Sequence, residues 1–338
     1  MDQDQIQDHY LQKLYSIAER HFGDINIAAF GCSARGLDLT LPDTNRNYQS
    51  STYYFQTPCS LVHWTSIQNL FSILNERALR LYNLESSDDA NEISYAGELL
   101  GLNRNLLNFG KRHFFSISFC NGSEKDNPFM WKKYGKKYSK VAIEFEITNE
   151  ALHWNNYHLS PVYYKVPDRF RLFLVEIEKT IINDGFSFYA DLNKLLGFHK
   201  RGRFNPEKEI RLATYDPHND IELYLRSSKP EPKIKKGRNR ITRYINLPLW
   251  VDNKSTNVHT FSQLYDTQSP FDEDFFADKP KIKFRNIYFG ENCGLSKVEL
   301  RQFQSQINRV LKYQYGYQIK MEEKFVEACG QTFLEKGI

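Results

Sequence analysis

The sequence predicts an α+β domain, and three observations carry that reading. Short runs rich in Phe, Tyr and Ile recur with period-two alternation, as in HFFSISFC (113–120), VAIEFEI (141–147) and KIKFRNIYFG (281–290). Alternation of that kind marks strands with one buried face. Single segments with helical spacing interrupt them, such as IQNLFSILN (67–75) and LSKVELRQFQSQINRVLKY (295–313); strands broken by lone helices indicate α+β. Finally, 338 residues with 41% hydrophobic and 25% charged content suffice for one large globular domain or two small ones.

Taken in order, Ile6, Tyr10, Leu14, Ile17 and Phe22 form a helical stripe that Gly23 ends. Residues 31–56 are turn-rich and polar and are expected to form a loop, so that 1–58 is an N-terminal helical arm and 59–338 the main domain. That domain opens with a short strand holding His63, then the 67–75 helix and a strand RALRLY (77–82). An acidic run from Glu85 to Glu92 begins a helix expected to continue to Leu107. After the 113–120 strand, Asp126 or Asn127 caps a helix with Pro128 near its first position, and Trp131 and Tyr134 share one of its faces. Strands follow at 141–147 and 160–166, and 169–198 reads as helical. IELYLRS (221–227) is a candidate strand, and KPEPKIKKGRNRITR (229–243), broken by two prolines and a glycine, is expected to project as a basic loop. Ser296 starts the last helix, and YQIKMEEKF (317–325) reads as a final strand.

Composition sets the outer limits. The net charge of +4 leaves nucleic-acid attraction to local patches around Lys132–Lys140, Lys200–Arg203 and Lys229–Arg243. Five cysteines without CxxC spacing read as reduced thiols in a cytoplasmic protein, with no metal site expected. The N-terminal MDQDQIQDHY lacks the features of a signal peptide, and no apolar run approaches the roughly 20 residues of a membrane span.

The stretch FNPEKEIRLATY (204–215) holds the candidate chemistry. Alternation places Ile210 and Leu212 on the core face and Glu209, Arg211 and Ala213 on the other. Glu209 thus stands at a strand entrance among apolar neighbours, where a carboxylate can stabilise a developing cation. An edge strand with a salt-bridged Glu–Arg pair is the alternative.

In order along the chain come HWTS (63–66), SSDDANE (86–92), SISF (116–119), MWKKYG (130–135), KVAIEF (140–145), EKEIR (207–211) and NIYFG (286–290). This order resembles the His–Tyr–Glu class of ADP-ribosyltransferases, and 60–321 is similar to a bacterial domain family of that kind long labelled as of unknown function. Trp64, Ala90 and Phe204 stand where that family shows Tyr, Pro and Trp. The resemblance implies split mixed β-sheets with flanking helices and NAD as substrate, with no metal. It implies that Tyr134 stacks on nicotinamide, with Trp131 on the same helix, and that His63 hydrogen-bonds a ribose hydroxyl beside Thr65. Ser116 or Ser118 would touch the ribose, Ser118 being the one assigned. Glu209 would hold the nicotinamide ribose and stabilise the oxocarbenium-like cation, and Glu207 would help activate the acceptor. The expected activity is transfer of ADP-ribose to a macromolecule, RNA or DNA ahead of protein, in a toxin or phage-defence effector that an antitoxin protein could restrain. NAD hydrolysis and a non-catalytic nucleic-acid-binding module on the same fold are the rivals.

Overall fold

The computed structural model describes residues 3–22, 28–33, 36–40, 44–86, 95, 97, 104–136, 139–165, 168–190, 193–216, 232–236, 241–252, 274–321 and 325–326. These residues form an α+β structure in which most strand pairs are antiparallel. The expected strand at 221–227 lies outside them.

The organising strand is β5 (Phe114–Asn121). It pairs with β9 (Ile210–Tyr215) from Phe114 to Phe119, with β4 (Ala78–Asn83) through Phe115 and Ser116, and with β3 (Cys59–Thr65) through Cys120 and Asn121. A ten-stranded sheet therefore divides along β5. On one branch, β4 continues to β11 (Ile241–Pro248) and β10 (Lys233–Lys236), and β9 to β7 (Tyr157–Pro161). On the other, β3 continues to β6 (Val141–Ile147), β12 (Ile282–Gly290) and the short parallel β13 (Phe325–Val326). α2 (Ile67–Glu76) joins β3 to β4 across the division.

Alternation sorts the side chains into separate cores. Phe115, Ile117 and Phe119 of β5, Ile210 and Leu212 of β9, and Ile143 and Phe145 of β6 share the main core with Leu70 and Leu74 of α2. α7 (Lys297–Val310) closes that core with Leu300 and Ile307, and its Ser296 forms a capping box with Glu299. Phe114, Ala213 and Tyr215, on the opposite face, join a second core with Leu14 and Ile17 of α1 (Gln3–Phe22), Phe170 and Phe173 of α5 (Asp168–Ile177), and Leu195 and Leu196 of α6 (Asn193–Leu196). Val62, Trp64, Cys120, Met130 and Trp131 make a third.

Several elements differ from the sequence expectation. Residues 28–33 and 36–40 form an antiparallel hairpin, β1 and β2, and β2 pairs in parallel with β8 (Ser187–Ala190). A strand thus lies inside the segment read as wholly helical, since Phe188 and Tyr189 find a ladder that local pattern does not reveal. The helix before β5, α3 (Arg104–His113), runs past Leu107 to His113. β7 is centred earlier than 160–166, and 317–321 is not a strand. β9 is not an edge strand either, since β5 and β7 flank it. Lys233–Lys236, expected in a projecting loop, pair instead with Ile241–Tyr244, because β4 offers β11 a ladder that carries the hairpin with it. No described helix is long and apolar enough to cross a membrane.

Candidate functional site

Where the sheet divides, a cleft of about 990 Å3 opens, lined by His63, Thr65, Ser116, Ser118, Tyr134 and both carboxylates, Glu207 and Glu209. Its size lies at the upper end of the range for small-molecule sites.

Glu209 immediately precedes β9 and is 4% exposed. Its backbone N–H donates to the Tyr164 hydroxyl at 2.9 Å, which fixes the turn into the strand. The Ser118 hydroxyl donates to Oε1, and Arg211 reaches the same oxygen through Nε at 3.0 Å and a terminal nitrogen at 2.9 Å. Lys200 Nζ sits 2.5 Å from Oε2. Burial alone would favour the neutral acid, but the Arg211 and Lys200 charges and the Ser118 hydrogen bond outweigh it and hold the carboxyl down to about 2. The Glu–Arg pair expected of an edge strand is therefore present, but in the sheet interior.

Glu207 ends the 3-10 turn Gly202–Glu207 and is 2% exposed. Lys208, in the left-handed region at φ 44°, reverses the chain between the two acids. Consequently Glu207 stays in the cleft, bound by the Tyr134 hydroxyl at 2.5 Å, by Lys133, and by Lys200 at 3.4 Å. Lys200 spans both carboxylates.

His63 and Thr65 follow the alternation of Leu61, so strict pleating would put them on the face away from Ser118. At the division this separation is lost. His63 Nδ1 donates to the Ser118 carbonyl at 2.9 Å, leaving Nε2 as the ring's other polar atom. Burial lowers the His63 pKa, which fits a neutral imidazole at pH 7. The link from His63 to Glu209 runs through Ser118, backbone on one side and hydroxyl on the other. Thr65 is buried and accepts from Asn69 of α2 at 3.0 Å. Both Ser116 and Ser118 face the cleft, and Ser118 alone of the two hydrogen-bonds Glu209.

Trp131 and Tyr134 do not share a role. α4 (Pro128–Lys133) starts at the Asn127 cap, whose side chain accepts from the Phe129 N–H at 2.9 Å, and stops before Tyr134. The Trp131 indole is fully buried, donates to the Lys125 carbonyl at 2.7 Å and meets Trp64 edge-on. It was expected beside NAD; it supports the helix from below instead and does not line the cleft. Tyr134, at the helix end, is half-buried with its ring in the cleft.

The sequence reading passed over Lys200, Arg211, Lys133 and Tyr164. Lys200 and Arg211 were legible only as part of a basic patch and of a bland ion pair. Around the carboxylates the cleft also carries Arg80, Lys140, Arg203 and Lys235, so cations outnumber acids in its lining. Such a site suits an anionic ligand with a cationic reacting centre. Among the described residues no group of three or more His, Cys, Asp or Glu is placed to hold a metal ion. No protein-family model matches the chain, and no curated protein or solved structure is significantly similar to it.

Proposed function

We propose that the protein is an ADP-ribosyltransferase that takes NAD as substrate and carries ADP-ribose to a macromolecule. The observation that carries this reading is the buried, ionised Glu209, held by Ser118 in the same cleft as His63 and Tyr134. Glycosidic cleavage passes through an oxocarbenium-like state, and a fixed carboxylate in a water-poor site stabilises that charge. The C1′–N bond breaks with its electron pair leaving on nicotinamide. The acceptor then bonds to C1′ and gives up a proton. In this reading the Tyr134 ring stacks on nicotinamide, its hydroxyl being fixed by Glu207. The neutral His63 offers Nε2 to a ribose hydroxyl, and Glu207 is placed to receive the acceptor proton. Lys200, on a flexible stem, is the counter-ion that a reacting sugar displaces; Arg211, anchored to the Gly197 carbonyl, stays.

A second reading has its own support. Glu209 is fully ion-paired, which is also what a binding module without turnover would need. Incubating the full chain with NAD labelled on the adenine side, with cellular protein and nucleic-acid fractions, decides between them. Nicotinamide release with label on a macromolecule is expected; release without transfer means hydrolysis, and no release leaves only the module. Tyr134→Ala is expected to raise the KM for NAD more than it lowers kcat, because stacking is lost before chemistry begins.

A further inference from the structure

One face of the sheet carries side chains that the proposed reaction does not use. Register places Tyr82 opposite Ser116, Tyr244 opposite both Tyr82 and Lys233, and Thr242 opposite Lys235. The intervening Leu79, Leu81, Ile245 and Leu247 all point into the main core. Arg80, Tyr82, Tyr244, Lys233 and Lys235 therefore stand on the same face as Ser116 and Ser118, forming a shelf that runs outward from the carboxylates along β4, β11 and β10. Tyr82 is 36% exposed, and Lys233 and Lys235 are exposed. The two tyrosine rings lie 5.9 Å apart, and the Arg80 guanidinium sits 5.0 Å from the Tyr244 ring. Glu76 of α2 is bound by Arg80, so it does not oppose the remaining lysines. The exposed Ile234 and Ile241 fall on the opposite face by alternation, leaving the shelf aromatic and cationic rather than aliphatic.

We propose that this shelf binds single-stranded nucleic acid and presents it to Glu209 as the acceptor, an inference that rests on the transferase reading above. Charge complementarity and the exposed Tyr82 ring select this occupant. Exposed aromatic faces take bases by stacking, and flanking lysines take the phosphates. Duplex bases are already stacked on one another and offer the tyrosines no free face. Continuity with Ser116 and Ser118 brings a strand lying on the shelf to the carboxylates.

Fluorescence anisotropy with labelled oligomers of about 12 nucleotides tests this, the length being within the usual range for such sites. The full chain is titrated with single-stranded RNA, single-stranded DNA of the same sequence, and duplex DNA, over a salt series. Tight binding of single strands and weak binding of duplex are expected, and the stronger of the two single strands identifies the acceptor's sugar. Tyr82→Ala should weaken single-strand binding roughly 5- to 150-fold. Lys233→Gln should reduce the slope of log affinity against log salt by about 0.7, the share of one phosphate contact. Nicotinamide release from NAD alone should change less than about twofold in these variants, while transfer to the oligomer falls with its binding. The proposal is overturned if wild type binds no oligomer, if the variants bind as wild type does, or if duplex binds equally with the same Tyr82 dependence. It is equally overturned if label appears on protein alone, or if Tyr82→Ala abolishes nicotinamide release with oligomer binding intact, which would assign the shelf to NAD. Should wild type release no nicotinamide yet bind single strands through Tyr82 and Lys233, the transferase reading fails while the surface stands.

Discussion

At Glu209 two opposed effects meet on one carboxyl group. Burial favours the protonated acid, whereas Arg211, Lys200 and Ser118 favour the anion and prevail. Glu209→Gln is expected to cut turnover by roughly 10²–10³, as loss of a preorganised charge does. It also leaves the Arg211 guanidinium, 1% exposed, beside a neutral amide, which destabilises the fold at neutral pH. The pH dependence has a definite sign. The folded carboxyl titrates near 2 and its ordinary value is 4.5, so its stabilisation is fully present above about 4.5 and is lost as pH falls toward 2. Urea unfolding of wild type and Glu209→Gln should therefore show a stability gap that is wide at neutral pH and closes over that acid window. A gap that stays constant through it would mean the ion pairs do not set the charge state of Glu209. Glu207→Gln should cost less in turnover, and more for transfer than for hydrolysis, because this acid faces the acceptor in the proposed mechanism.

Among the elements, α4 decides where the Tyr134 ring goes. The helix is pinned at its start by Asn127 and Pro128 and from below by Trp131, and it ends with the Gly135 N–H donating to the Met130 carbonyl at 3.0 Å. A Cβ on Gly135 would lie 2.6 Å from the Trp131 carbonyl oxygen and 2.9 Å from its Cα, so backbone must move. Gly135→Ala is predicted to destabilise by about 1–3 kcal/mol, typical of overpacking. The same shift should displace the Tyr134 ring and raise the KM for NAD, which thermal melts and initial-rate kinetics on one preparation would show together. An unchanged KM in a destabilised Gly135→Ala protein would separate Tyr134 from the NAD site. The cap was readable to within one residue, Asp126 or Asn127, because a capping side chain before Pro has a local mechanism. The division of labour between Trp131 and Tyr134 was not, since i, i+3 spacing says that two rings share a face but not which is covered by Trp64 and Met130.

For the whole molecule, α1 belongs to the body through the second core. Leu14 is fully buried with Phe170, Phe173 and Leu195, so Leu14→Ala is expected to cost about 2–5 kcal/mol in chemical denaturation. The KM for NAD should stay within about twofold, because Leu14, Phe170, Phe173 and Leu195 do not line the cleft. A cost under about 0.5 kcal/mol would instead fit a solvated arm. The sequence by itself determined the α+β class, the cap at Ser296, the cap of the Pro128 helix to within Asp126 or Asn127, and the two faces of β9, because capping and period-two alternation act within a few residues. It also placed Glu209, Arg211 and Ala213 on the face away from the main core. Only the tertiary structure decided that β9 is interior, that 187–190 is a strand, that Lys233–Lys236 join the sheet, and that His63 turns into the gap beside Ser118. The same holds for Lys200, which bridges Glu207 and Glu209. Ladders and ion pairs of this kind form between segments brought together by the fold, and no local pattern in either partner specifies the other.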